Sequence, residues 1–200
     1  MKTIAVDFDD VLADSARGFV DFCNQKWGTK LTVDDYSEHW AQMWGIDKTE
    51  ADKRAELLYK SGVQGRFSPL EEAKPVLSDL GKKYELVITT SRVRKIQKDT
   101  LDWIDQHYKG VFKEIHFSGL FDTDSPDRHK LTKTDLLKSI RADYLIDDHP
   151  KHCVAAAETG IVSLLFGDYA WNRRLDNLPR GVTRVLNWSE VKSFFENERN

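Results

Sequence analysis

Three aspartates, Asp7, Asp9 and Asp10, follow the short apolar run Ile4-Ala5-Val6, and two more, Asp147 and Asp148, follow Tyr144-Leu145-Ile146. A third apolar run, Leu86-Val87-Ile88, leads into Thr89, Thr90, Ser91 and Arg92. Carboxylates can attack, transfer protons or bind hard cations, while hydroxyl and guanidinium groups bind anions. Five carboxylates drawn into one small volume repel one another unless a cation neutralises them. Oxygen donors without a thiolate point to a hard ion, and Mg²⁺ is the expected one where a phosphate completes its shell. A single Asp after a strand reads as a helix cap or turn residue. Two Asp-Asp pairs after different strands, with Thr-Ser-Arg after a third, argue against that reading here.

The elements that must position these residues follow from the apolar pattern. Short β-compatible runs recur around residues 4–8, 86–88, 115–117, 144–146 and 161–165, with a last one at 182–186. Between them lie helical patterns. Val93, Ile96, Thr100, Trp103, Ile104 and His107 share one face, as do Leu136, Leu137 and Ile140, and Pro150 can open a helix that Gly160 closes. A terminal helix is expected from near Ser189. Alternating strands and helices predict an α/β fold, a mostly parallel sheet with helices on both faces, and ligands then bind beyond the carboxyl ends of the strands. Residues 14–72 break the alternation. Phe19, Phe22, Cys23 and Trp27 form a helical stripe, Thr32 can cap a short turn through Tyr36, and Thr49 can cap a helix running to Gly62. This predicts a small helical cap inserted after strand 1, with residues 1–14 and 73–200 forming the core and 15–72 the cap.

Composition narrows the function classes. The 200 residues are 40% hydrophobic, enough for a full core, and 30 basic against 33 acidic residues give a net charge of −3. No long run of either sign favours a nucleic acid polymer as partner. No segment approaches the roughly 18 uninterrupted apolar residues of a membrane span. The expectation is a cytoplasmic protein with no membrane partner, whose two cysteines, Cys23 and Cys153, are buried free thiols.

The stretch DFDDVLADS (residues 7–15) resembles the first motif of the haloacid dehalogenase superfamily, and three more motifs match in order. ITTSR places Thr90 at the second-motif hydroxyl, Lys133 stands fourteen positions before Asp147 as the third-motif lysine does, and LIDDHP fits the fourth. The resemblance implies a Rossmann-like three-layer α/β/α core. It implies Asp7 as nucleophile forming an aspartyl-phosphate, Asp9 as general acid and base, and Thr90 and Lys133 as donors to the transferring oxygens. Mg²⁺ would be held by Asp7, the carbonyl of Asp9 and Asp148, with Asp147 in support. A carboxylate at Asp9 separates phosphatases from the dehalogenases, which lack it. Asp10 departs from the motif, which usually has Gly there.

The layout looks like the 5′(3′)-deoxyribonucleotidase branch, so the expected substrate is a small phosphate monoester, a nucleotide first and a sugar phosphate as the alternative. Ser91 and Arg92 are candidate substrate contacts beside Thr90 and Lys133, although Arg92 also fits a solvent-facing helix start. Phe19, Phe22, Trp27, Tyr36, Trp40 and Trp44 either stack on a base or form the core of the cap. His116, His129 and His149 lie near strand ends without zinc-like spacing, and the polar stretch 118–130 is long enough to border the site. A receiver-like signalling module is disfavoured, because the strand after Lys109 ends in HFSG with no Asp. A catalytically degenerate nucleotide-binding protein is the remaining alternative of another class.

Overall fold

The structure is a computed structural model that describes residues 1–119, 131–174 and 177–198. Apolar, β-branched runs buried on both sides have no partner but a sheet between two helical layers. Six strands form it: β1 (Thr3–Val6), β2 (Glu85–Thr90), β3 (Glu114–Phe117), β4 (Tyr144–Asp147), β5 (Val162–Phe166) and β6 (Val182–Val185). They are all parallel, in the order β3-β2-β1-β4-β5-β6. The order reverses at the β1–β4 pair, where Val6 lies beside Ile146, so the residues following both strands emerge together at the switch point where such sheets bind ligands.

The pleat sorts the core. Ile4, Val6, Leu86, Ile88, Tyr144 and Ile146 join one cluster, with Leu77 and Leu80 of α4 (Ala73–Leu80), Trp103 of α5 (Gln97–Tyr108) and Phe195 of α8 (Trp188–Asn197). The intervening Ala5, Val87 and Leu145 face Leu137 of α6 (Lys133–Ser139) and Ala156 of α7 (Pro150–Ala157). The result is the three-layer α/β/α arrangement, with helices on both faces of the sheet.

Between β1 and α4 lie α1 (Ser15–Trp27), a 3₁₀ turn at Val33–Asp35, α2 (Trp40–Trp44), α3 (Lys48–Lys60) and a second 3₁₀ turn at Val63–Gly65. The chain enters and leaves this segment side by side: Asp14 N–H donates to Ser68 O and Leu70 N–H to Leu12 O, both at 2.8 Å. Two buried indoles pin the same crossing, Trp103 to Phe67 O at 2.7 Å and Trp188 to Val11 O at 2.9 Å. Gly18 is required here, since a Cβ would lie 2.3 Å from the Phe67 ring.

Local caps shift several expected boundaries. Asp47, not Thr49, caps α3 by accepting Glu50 N–H, because its carboxylate reaches the free N–H while its backbone stays extended. Val93 is extended, and α5 begins at Gln97 after a 3₁₀ turn at Arg94–Ile96. Thr132 and Asn187 cap α6 and α8, one or two residues before the expected starts. Thr32 caps its short turn and Pro150 opens α7, as the sequence predicts. His129 and nearly all of the polar stretch 118–130 lie outside the described residues.

Candidate active site

Asp7 is the first residue past β1, and its N–H donates to Ile146 O at 2.9 Å, which locks it to the neighbouring strand. Its Oδ1 accepts from Phe8 N–H and from Lys133 Nζ, each at 2.7 Å. Lys133 sits in the first turn of α6, and its Nζ also donates to Asp147 Oδ2 at 2.6 Å. Asp147 Oδ1 accepts His149 N–H at 2.9 Å, and Asp148 follows at the start of the same turn. Carboxylate oxygens of Asp7, Asp147 and Asp148 lie within 4.8 Å of one another, and all three residues are buried.

This charge set is unbalanced: three carboxylates face the single cation of Lys133. Burial, reinforced by Asp147 and Asp9, pushes Asp7 up to about 7 despite the opposing lysine. Burial and the charges of Asp147, Asp7 and Asp10 drive Asp148 well above the usual carboxylate range. Asp147 is held low in spite of its burial, because Lys133 and the His149 N–H stabilise its charge. When all three carboxylates are ionised they outnumber the lysine by two, and a buried cluster of oxygen donors of that kind fits a hard divalent cation such as Mg²⁺.

Asp9 lies apart from that cluster. Its carboxylate accepts Arg92 Nε at 3.0 and 3.1 Å, Arg92 Nη2 at 2.7 Å and Ser15 Oγ at 2.5 Å. Burial raises the cost of its charge, yet Arg92 and Ser15 outweigh this and hold it below the ordinary value. Arg92 is itself buried, with its guanidinium 3.9 Å from the centre of the Phe8 ring and its Nη1 directed to Thr100 Oγ1 and Gln64 O. The guanidinium expected to contact phosphate is thus engaged with Asp9. Thr90 is fully buried at the end of β2, and its Oγ1 accepts Arg92 N–H at 3.1 Å, whereas Ser91 lines the cavity beside it.

Asp10 explains its own departure from the motif. Its φ of 56° is a left-handed conformation that glycine adopts freely and Asp tolerates. Its Oδ1 accepts Ala16 N–H at 2.9 Å, satisfying a donor at the buried start of α1, and it is not among the residues clustered with Asp7. Burial raises this carboxyl well above its ordinary value.

A cavity of about 510 Å³ opens above these groups, lined at its floor by Asp7, Asp9, Lys133 and Asp148. Phe19, Tyr36, Trp40 and Tyr59, from the segment between β1 and α4, also line it. Phe22, Trp27 and Trp44 instead pack on their neighbours: Trp44 stacks on Phe19, Trp27 meets Trp44 edge-on, and Arg54 covers both indoles. The aromatic stripe therefore divides between cavity wall and core. His149 borders the cavity, whereas His116 on β3 lies with its Nε2 3.1 Å from a carboxylate oxygen of Glu114.

One set of residues was missed. After β5, Gly167 turns the chain (φ 82°), and Trp171 Nε1 donates to Asp148 Oδ2 at 2.6 Å. The buried Asn172 amide donates to Asp148 O and Phe166 O. The rule that sites follow strand ends covers these positions too, but neutral residues carry no charge signal to draw attention.

A parallel sheet in this order, with an aspartate cluster at its switch point and a lysine bridging it, defines a hydrolase of the haloacid dehalogenase superfamily. The chain belongs to the 5′ nucleotidase, deoxy (pyrimidine), cytosolic type C protein family, whose model matches residues 1–199. It is similar to a curated protein of Halalkalibacterium halodurans that carries a provisional nucleotidase name, 23% identical over 98% of this chain and 93% of the relative. Among solved structures it is similar to a haloacid dehalogenase-like hydrolase from Streptococcus pneumoniae, 19% identical with a TM-score of 0.72 over 98% of both chains. A magnesium-bound hydrolase from Bacillus subtilis, 16% identical, aligns at a TM-score of 0.60 over 96% of this chain and 97% of its own. The protein is a phosphatase of this superfamily. No helix among the described residues is long and apolar enough to cross a membrane.

Proposed function

We propose that the protein is a Mg²⁺-dependent phosphomonoester hydrolase that works through an aspartyl-phosphate on Asp7, with a nucleoside 5′-monophosphate as substrate. The observation that carries this reading is Asp7 Oδ1 at 2.7 Å from Lys133 Nζ, in a cavity that Phe19, Tyr36 and Trp40 also line. When bound by Asp7, the Asp9 carbonyl and Asp148, with Asp147 in support, Mg²⁺ supplies the positive charge that lets a phosphate dianion approach buried carboxylates. Lys133 keeps Asp7 oriented and, with Thr90 and Ser91, donates to the transferring oxygens. Attack by Asp7 forms the P–O bond as the ester oxygen departs. Asp9 gives that oxygen a proton and later takes one from the water that cleaves the acyl-phosphate. Because Arg92 holds Asp9 ionised in this arrangement, Asp9 must turn from the guanidinium toward the cavity to serve as acid.

Residues 15–72 act as the cap, and Phe19, Tyr36 and Trp40 offer flat apolar surface to a base, as aromatic rings commonly do. The buried free thiols of Cys23 and Cys153 and the cytosolic family name support an intracellular setting. With Mg²⁺ present, the wild type should hydrolyse para-nitrophenyl phosphate, and Asp7→Asn should abolish both hydrolysis and phospho-enzyme. Asp9→Asn should leave phospho-enzyme trapped. Turnover surviving in Asp7→Asn would refute the nucleophile, an inert wild type would favour a degenerate binder, and equal rates on sugar phosphates and nucleotides would refute the substrate class.

A further inference from the structure

The geometry points to Trp171 as the positioning residue that fixes Asp148 for the divalent cation, and so sets the affinity of the site for it. This rests on the metal reading of the Asp7, Asp147 and Asp148 cluster. Asp148 follows β4 directly, and two neutral donors of the segment after β5 grip it at two points: the Asn172 amide on its carbonyl at 2.9 Å and the Trp171 indole on Oδ2 at 2.6 Å. A donor on one carboxylate oxygen fixes the rotation of the group, and with it the direction of the other oxygen. Partners of this kind orient a metal ligand and strengthen its hold on the ion.

The indole is itself held in place. It stacks on Tyr169 with centroids 4.6 Å apart and planes 1° from parallel, and it meets the Tyr36 ring edge-on at 5.5 Å. Tyr169 is anchored in turn, its hydroxyl donating to Asp10 O at 2.8 Å, the backbone of the turn that carries Asp7 and Asp9. Gly167 makes the stack possible, because a Cβ there would lie 2.2 Å from the Tyr169 ring. Arg173, two residues after Trp171, pairs with Asp34 at 3.2 Å, which ties the chain after Trp171 to the segment around Tyr36. Within the cavity the Trp171 hydrogen bond falls on Asp148, the carboxylate read as a cation ligand, so its effect is to be read in Mg²⁺ binding by the substrate-free protein.

The test is a calorimetric Mg²⁺ titration of the substrate-free protein, with the Mg²⁺-dependent rise in Tm as a second readout. Trp171→Phe keeps an aromatic ring and removes the N–H. It should weaken Mg²⁺ about 10- to 100-fold, the usual cost of losing a partner of a metal ligand. Trp171→His, which restores a ring N–H, should recover part of the loss, and the Tm of the cation-free protein should change little in either variant. Mg²⁺ affinity within twofold of wild type in Trp171→Phe would overturn the proposal, as would equal weakening in the Phe and His variants. Should the Phe variant fold poorly, replacing Trp171 with benzothienylalanine, which keeps the ring shape without the N–H, gives the same reading. A wild type that binds no Mg²⁺ would overturn the metal reading itself, a result distinct from failure of the Trp171 role.

Discussion

Lys133 Nζ stands 2.7 Å from Asp7 Oδ1 and 2.6 Å from Asp147 Oδ2, bridging the ends of two adjacent parallel strands. Removing the cation from such a bridge leaves two buried carboxylates facing each other. Lys133→Met should therefore cost about 3–5 kcal/mol of stability, as breaking a buried ion pair from one side does. Urea denaturation without Mg²⁺ measures this, and a loss below ~1 kcal/mol would show that the bridge contributes little.

Arg92 is engaged with Asp9 and the main chain of Gln64, so it should act on turnover rather than on phosphate affinity. Arg92→Met is expected to lower kcat about tenfold or more, with KM for a nucleoside monophosphate within threefold of wild type, a loss at the low end of what an acid-base group contributes. Arg92→Lys should rescue poorly, since an ammonium cannot reproduce the fork. A large rise in KM with kcat intact would identify Arg92 as a phosphate ligand instead.

Burial pushes Asp7 from its ordinary 3.8 up to about 7 in the folded protein, so between these values the folded state binds more protons than the unfolded chain. The contribution of Asp7 to the stability of the cation-free protein should consequently fall as pH rises from about 4 to 7, and Asp148, also raised, extends the fall, whereas burial lowers His152 to about 4 and gives an opposing rise below about 6.5. Mg²⁺ should flatten the dependence by favouring the ionised cluster. Thermal scans from pH 5 to 8 in EDTA on the wild type and on Asp7→Asn decide the matter: a wild-type Tm that does not fall relative to that of Asp7→Asn as pH rises contradicts the assignment.

Asp10 accepts Ala16 N–H at the start of α1 and stands outside the Asp7, Asp147 and Asp148 cluster. Asp10→Asn preserves both the left-handed backbone and the acceptor for Ala16 N–H, so stability and Mg²⁺ affinity should hold or improve. Asp10→Ala loses the acceptor and strains the backbone, at about 1–3 kcal/mol. A tenfold loss of Mg²⁺ affinity in Asp10→Asn would place this carboxylate in the metal site.

The sequence by itself determined the sheet and the residues at its carboxyl edge. Runs such as Tyr144-Leu145-Ile146 are apolar at every position because both faces are buried, and each charged residue that follows marks a strand end. It also determined the four motifs, whose spacing is a local property. Only the tertiary structure decided which groups meet. Arg92 found Asp9 across 83 positions of chain, and Trp171 found Asp148 through a turn after a different strand. The division of the aromatic stripe between cavity wall and core likewise depends on how α1 through α3 pack, which no helical periodicity encodes. Charge and hydrophobic period are written along the chain, whereas hydrogen bonds between neutral and charged side chains depend on three-dimensional proximity that spacing does not specify.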